Sequence, residues 1–304
     1  MSSPLSLTIL GCHSASPKAN AHPTSQVLEL RGHIFLIDCG EGTQVRLRKS
    51  KVKFSRIKHI FISHLHGDHI FGLVGLISTF GMMKRTEKLH VYGPKGIKEL
   101  ILTQLKITAS FTTYPIEFIE LSNDESEVVF EDEKVRVSTI PLEHRIYANG
   151  YLFQEVNPPR KLNLPLLEDL GVDKVYYGKL QKGSDVEHEN KLIKSDDVCF
   201  VESPKSYAFC SDTVYRPQIV PLIKDVFLLY HEATFLETEA DLCQKTKHST
   251  ALQAATIANA ANAKHLILGH FSARYNDLTM FVSEAKQVFE NVELAETLKR
   301  FYFE

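Results

Sequence analysis

Four things are scarce in this 304-residue chain, and each scarcity excludes a class of function. Its five cysteines (Cys12, Cys39, Cys199, Cys210 and Cys243) are odd in number, scattered and free of any C-x-x-C pair. Neither a disulfide framework nor a zinc ribbon is therefore expected, only reduced thiols among apolar neighbours. Net charge is also missing, since 35 Lys and Arg face 37 Asp and Glu. No global field draws the protein onto nucleic acid or an anionic membrane, and any polyanion must be gripped locally. No window approaches the roughly 20 apolar residues of a spanning helix. The start "MSSPLSLTILGC" sets no basic region ahead of its short apolar run, so no secretory signal is expected and a soluble, cytoplasmic protein is. Internal repeats and low-complexity tracts are absent as well. What is abundant is apolar residues, at 43%, enough to bury a sizeable core.

Short β-like runs dominate the first third, at 7–10, 26–30, 34–38 and 59–63, each bounded by Gly, Pro, Asn or charged residues. Stretches 70–80 and 94–105 have helical length and spacing, the second with Pro94 near its first turn. Residues 135–140 alternate as a half-buried strand should. The second half repeats the mixture: runs at 206–212, 225–233 and 264–270, an Ala-rich helix at 250–263 and a last helix near 279–289. Strands and helices mixed at both ends predict an α/β protein with layered sheets. Residues 156–198 differ, with three prolines, three glycines and much charge, and they predict an inserted, flexible arm.

The densest chemistry is "SHLHGDH" at 63–69, which puts His64, His66, Asp68 and His69 within six residues just past an apolar run. In an extended segment positions i and i+2 face the same way, so His64 and His66 can converge on one point. Asp68 and His69, beyond the turn that Gly67 allows, can face a second point nearby. Imidazole and carboxylate suit a borderline cation such as zinc, and two adjacent sites permit a two-metal arrangement. Four residues cannot complete two sites, so further ligands are required at strand ends. His144, Asp212 and His270 each close such a run.

This pattern resembles the metallo-β-lactamase fold family. Within it, "DCGEGTQ" (38–44), "YHEATF" (230–235), "KHST" (247–250) and "GHFSARY" (269–275) resemble the ribonuclease Z family in particular. The resemblance implies a four-layer αββα sandwich, one domain over 1–304, with 156–198 as a protruding arm that grips tRNA. It also implies an endoribonuclease that removes the 3′ trailer of precursor tRNA and leaves a 3′-hydroxyl on the tRNA and a 5′-phosphate on the trailer. One zinc would be held by His64, His66 and His144 and a second by Asp68, His69 and His270, with Asp212 shared; manganese is the alternative ion.

In the same way Asp68 would orient the nucleophile and take its proton, His248 would protonate the leaving oxygen, and Glu232 would keep His248 charged. Asp38 would brace the metal loop. In the loop 14–25, Lys18 and Ser25 would meet a phosphate. On the arm Arg160, Lys161, Lys179 and Lys182 would meet tRNA, although "DKVYYGKL" departs from the Gly-Pro pair that commonly precedes "GKL" in family arms. A homodimer in which one arm serves the partner's metals is implied, with no membrane or DNA partner. Two other readings predict different behaviour. Another hydrolase of this fold would turn over small phosphodiesters without cutting tRNA, and a non-catalytic RNA-binding scaffold would lack ligands.

Overall fold

The computed structural model describes residues 5–16, 18–189 and 191–303. The chain first forms β1 (Leu5–Gly11), β2 (Ser25–Leu30), β3 (His33–Ile37), β4 (His59–Phe61), β5 (Leu89–Pro94) and β6 (Ile116–Leu121). It continues through β7 (Val128–Glu131), β8 (Val135–Pro141) and β9 (Asn149–Glu155), then leaves the body for an arm carrying β10 (Arg160–Leu162), β11 (Val186–His188), β12 (Lys191–Ile193) and β13 (Cys199–Val201). It returns as β14 (Ser206–Cys210), β15 (Leu228–Glu232), β16 (His265–Gly269), β17 (Val292–Leu294) and β18 (Arg300–Phe303).

Two seven-stranded sheets result, in the orders β18-β1-β2-β3-β4-β5-β6 and β7-β8-β9-β14-β15-β16-β17. Each runs antiparallel through its first three pairings and parallel through its last three. The strand period of two sorts the side chains into layers. Phe35 and Ile37 of β3, Tyr207 and Phe209 of β14 and Tyr230 of β15 fill the space between the sheets. Their neighbours Ile34 and Leu36 face one helix layer, and Ala208, Cys210 and Leu229 face the other. This is the αββα sandwich. The helix Ala251–Ala260 lies against the second sheet through Ala251, Ala254, Ala255 and Ala258, small residues that permit close approach, and starts from a Thr250–Gln253 capping box.

Two expectations need correction, and the insertion is structured. The helical stretch 70–80 is two helices, Gly67–Ile70 and Leu73–Met82. The backbone N–H of Gly72 donates to the carbonyl of Cys39 at 2.8 Å, and a Cβ at Gly72 would lie 2.2 Å from the Gly40 carbonyl oxygen, so a tertiary contact interrupts the local helical preference. Pro94 ends β5 and does not open a helix; the helix Ile97–Ile107 starts after Gly96, whose φ of 99° supplies the reversal. The insertion has regular structure: β10 pairs with β13 and β11 with β12 around a small core of Leu167, Val172, Leu180, Val186, Ile193 and Val198. The outermost register pair of β10 and β13 is Arg160 opposite Val201.

Candidate metal centre

Parallel strands end on one side of a sheet, and here both sheets deliver their strand ends to one cleft. The loop after β4 is held from two directions. Ile62 N–H donates to Tyr92 at 2.8 Å, while the hydroxyl of Tyr151 donates to the Ile62 carbonyl at 2.6 Å and Asn149 N–H to that of Ser63 at 3.0 Å. His66 is still extended and caps the helix Gly67–Ile70. The chain thus turns from strand to helix between His66 and Asp68, which separates the two ligand pairs as the spacing predicts. Asp212 and His270 arrive from β14 and β16 with φ of 58° and 60°, and Asp38 follows β3 with φ of 54°. Aspartate and histidine tolerate this left-handed region better than most residues, and here it turns the chain sharply at each strand end so that the side chain faces the cleft.

The convergence produces two donor sets that share Asp212: His64, His66, His144 and Asp212, and Asp68, His69, Asp212 and His270. In the first, His66 Nδ1 lies 3.0 Å from His64 Nε2 and 3.2 Å from His144 Nε2, and Asp212 Oδ2 lies 3.7 and 3.8 Å from those two Nε2 atoms. In the second, Asp212 Oδ1 is 3.2 Å from both His69 Nε2 and His270 Nε2, and Asp68 Oδ2 is 3.4 and 3.6 Å from them. Donors placed tetrahedrally about 2.1 Å from one ion stand about 3.4 Å apart. The Nε2 atoms of His69 and His270 are moreover buried without a hydrogen-bond partner among the described residues, an arrangement costly unless a ligand satisfies them. The residues present fit a pair of divalent cations.

The opposite nitrogens are engaged. His69 Nδ1 donates to Asp38 at 2.6 Å, His270 Nδ1 to the Thr234 hydroxyl at 2.8 Å, His144 Nδ1 to the Lys247 carbonyl at 2.8 Å and His64 Nδ1 to the Ser63 hydroxyl at 3.1 Å. Asp38, fully buried, also accepts from Ser63 N–H at 2.7 Å and from its hydroxyl at 2.9 Å. One carboxylate therefore orients two imidazoles of the donor sets, His69 directly and His64 through Ser63, which fixes tautomer and ring direction. Electrostatics agree with a cation site. Burial opposes charge on His69, but the carboxylates of Asp212, Asp68 and Asp38 outweigh it and raise the imidazole well above its ordinary range. Burial likewise pushes Asp68 up, but His69 and His270 hold it far below the usual carboxylate range.

His248 faces the same cavity, of about 490 Å³. Its Nδ1 donates to Glu232 Oε1 at 2.9 Å, which leaves Nε2 for the cleft. Burial disfavours the imidazolium, yet the Glu232 carboxylate outweighs it and lifts His248 to about 9. Glu232, fully buried, is a hydrogen-bond hub: Oε1 also accepts from Thr213 N–H at 2.8 Å, and Oε2 accepts from the hydroxyl and N–H of Thr234. Thr234 thus ties the Glu232 carboxylate to His270 of the second donor set. His231 packs on the other side of β15, fully buried, with Nδ1 2.7 Å from the Glu232 carbonyl.

The expected substrate residues fare differently. Ser25 is fully buried and donates to the Asp38 carbonyl at 3.0 Å, so it cannot meet a phosphate; it is a brace. Lys18 is exposed, its Nζ 3.5 Å from Asn276, while Ser14 and Ser16 of the same loop line the cavity. On the arm Arg160 pairs with Asp196 at 2.7 Å and Lys161 with Glu202 at 2.5 Å, whereas Lys179 and Lys182 are exposed. Tyr176 and Tyr177 pack on the arm's core. Sequence reasoning missed Ser63, Thr234 and the Lys247 carbonyl. The first two stand beside ligands or motif residues, but their bonds join segments that lie 25 and 36 residues apart.

A family model described as anti-Pycsar protein Apyc1 matches residues 5–153, a span that holds His64 to His69 and His144 but stops short of Asp212, His248 and His270. The chain is 46% identical to Ribonuclease Z of Bacteroides fragilis over 291 residues, 95% of this chain and 96% of that protein. It is 45% identical to Ribonuclease Z of Porphyromonas gingivalis over 287 residues, 94% of each. Among solved structures, human tRNase Z, short form, superposes with a TM-score of 0.71 at 26% identity, covering 98% of this chain and 99% of that one.

Proposed function

This chain belongs to the ribonuclease Z family of metal-dependent endoribonucleases, and from that membership we infer that it removes the 3′ trailer of precursor tRNA, leaving a 3′-hydroxyl on the tRNA and a 5′-phosphate on the trailer. The observation that carries the reading is one cleft in which two donor sets share Asp212 and a charged His248 faces them. We assign one zinc to His64, His66 and His144, a second to Asp68, His69 and His270, and Asp212 to both, with manganese as the alternative ion. When bound, such a pair supplies Lewis acidity toward water and toward phosphate oxygens.

The chain's own side chains do the rest. Asp68, kept ionised by its imidazole neighbours, orients the attacking water and accepts its proton. His248 Nε2 donates a proton to the departing 3′-oxygen, and Glu232 keeps it charged for that step. The exposed Lys179 and Lys182 of the arm meet the tRNA body as phosphate contacts, and the functional unit is a homodimer in which one subunit's arm serves its partner's cleft. The cytoplasm is the assigned compartment. No helix among the described residues is long and apolar enough to cross a membrane.

The test is cleavage of a precursor tRNA with mapped ends, alongside elemental analysis of the purified protein. Asp68→Ala should lower cleavage by at least about a thousandfold while the fold persists. Turnover of small phosphodiesters without tRNA cleavage, or a variant near wild-type activity, would remove the assignment.

A further inference from the structure

Arg145, next in sequence to the ligand His144, has no role so far. It lines the cavity with His66, Asp68 and His248 and is exposed. Its Nε donates to the Thr246 carbonyl at 3.2 Å, while His144 Nδ1 donates to the next carbonyl, of Lys247. The segment that delivers His248 is thus clasped by two consecutive residues of the loop after β8. Among the described residues Arg145 makes no ion pair, and its two terminal NH₂ groups reach no hydrogen-bond acceptor. The neighbouring cations are spent. Lys247 pairs with Glu143 at 2.8 Å, and Arg274 pairs with Glu239 and lies over the Phe235 ring. A cavity lined by four histidines and two carboxylates therefore presents one anchored guanidinium whose fork points to no protein acceptor among the described residues.

We propose that Arg145 binds the phosphate on the 5′ side of the nucleotide whose 3′-oxygen leaves. This rests on the endonuclease reading above. In that reaction His248 hands its proton to the leaving oxygen, so the nucleotide on the tRNA side of the scissile bond lies on the His248 side of the cleft. Arg145 stands there, two residues from His248 through the Thr246 carbonyl, and close enough that its charge acts on both His248 and His66. A guanidinium held through Nε keeps two parallel N–H donors free, which matches the paired oxygens of a phosphodiester better than an ammonium does. The consequence is specificity. The enzyme reads the backbone one step upstream of the bond it breaks, and a substrate with no charge there loses rate although its reacting atoms are unchanged.

The experiment is a cycle on kcat/KM. Precursor tRNA carrying an uncharged methylphosphonate in place of that single phosphate is compared with unmodified precursor, using wild type, Arg145→Ala and Arg145→Lys. The expected result is a loss of about 10- to 100-fold for wild type on the modified strand, the scale of charge-assisted hydrogen bonds. Arg145→Ala should show a similar loss on unmodified precursor and no further loss on the modified one, and Arg145→Lys should fall between. A residue that merely clasps the His248 segment would lower both substrates by one factor, and such additivity overturns the pairing. Cleavage of unmodified precursor by wild type is the control for the endonuclease reading. Its failure sinks that reading together with this one, whereas additivity on an active wild type sinks only the Arg145 pairing.

Discussion

Glu232→Gln should produce a defect that grows with pH. In the wild type the Glu232 carboxylate, 2.9 Å from His248 Nδ1, lifts the imidazole to about 9 from an ordinary 6.5. At pH 8 about 90% of His248 is then charged, and at pH 6 essentially all. Glutamine removes the charge; burial still lowers the imidazole while the Asp212 carboxylate still raises it, so the ordinary 6.5 is the reference for the variant. The charged fraction becomes about 3% at pH 8 and about 75% at pH 6. The ratio of wild-type to variant rates should therefore climb from about 1.3 at pH 6 to about 30 at pH 8. The sign follows from a raised value: the charged, donating form persists to higher pH in the wild type and is lost first in the variant. Glutamine can still accept from Thr213 N–H, but it leaves a Thr234 donor unmatched, at a cost of roughly 1–3 kcal/mol in stability. That lowers the melting temperature without tilting the pH dependence. The assay is single-turnover cleavage of precursor tRNA by metal-saturated protein between pH 6 and 8, where any titration common to both proteins cancels in the ratio. A ratio that is flat across this range would refute the role given to the Glu232–His248 pair.

Asp38→Asn should weaken metal affinity by about 10- to 100-fold, since it turns a donor toward His69 Nδ1 and loosens Ser63; chelator competition measures it, and a change under twofold would contradict the bracing role. Gly72→Ala forces a Cβ within 2.2 Å of one backbone oxygen and 2.9 Å of another, and should cost about 3 kcal/mol, a fall of about 6 °C in Tm. A melting curve that overlays the wild type would show that the two loops are not in that contact. Joining Leu162 to Cys199, register partners at the base of the arm, should raise KM for precursor tRNA well above tenfold while kcat for bis(p-nitrophenyl) phosphate changes little; equal effects on the two substrates would dismiss the arm as a tRNA grip.

Much of the site was legible because metal binding restricts which atoms can take part. Within "SHLHGDH" the strand period pairs His64 with His66, Gly67 lets the chain turn, and Asp68 and His69 fall to the other side, all from local geometry. His144, Asp212 and His270 were legible only as candidates at strand ends, since nothing near each in sequence says that Asp212 reaches both His64 and His270. Ser25 was misjudged for the same reason. A serine in a polar loop resembles a phosphate contact, but β2 pairing with β3 sets it under the Asp38 carbonyl. Pro, Gly and charge set residues 156–198 apart in the sequence, whereas the small core there, six buried residues, comes from segments up to 31 positions apart with no single periodicity.

The order of residues alone settled the kinds of donor atom, the two-residue alternation that sorts side chains between sheet and helix layers, and the turn between the ligand pairs. These depend on covalent geometry that repeats within a few residues. Tertiary structure alone decided that Asp38 reaches His64 through Ser63, that Glu232 reaches His270 through Thr234, and which of the arm's lysines and arginines are tied up in ion pairs. Each of those outcomes is a distance of about 3 Å between groups far apart in the chain, and only the stacking of two twisted sheets, with three residues held in left-handed backbone, sets such distances.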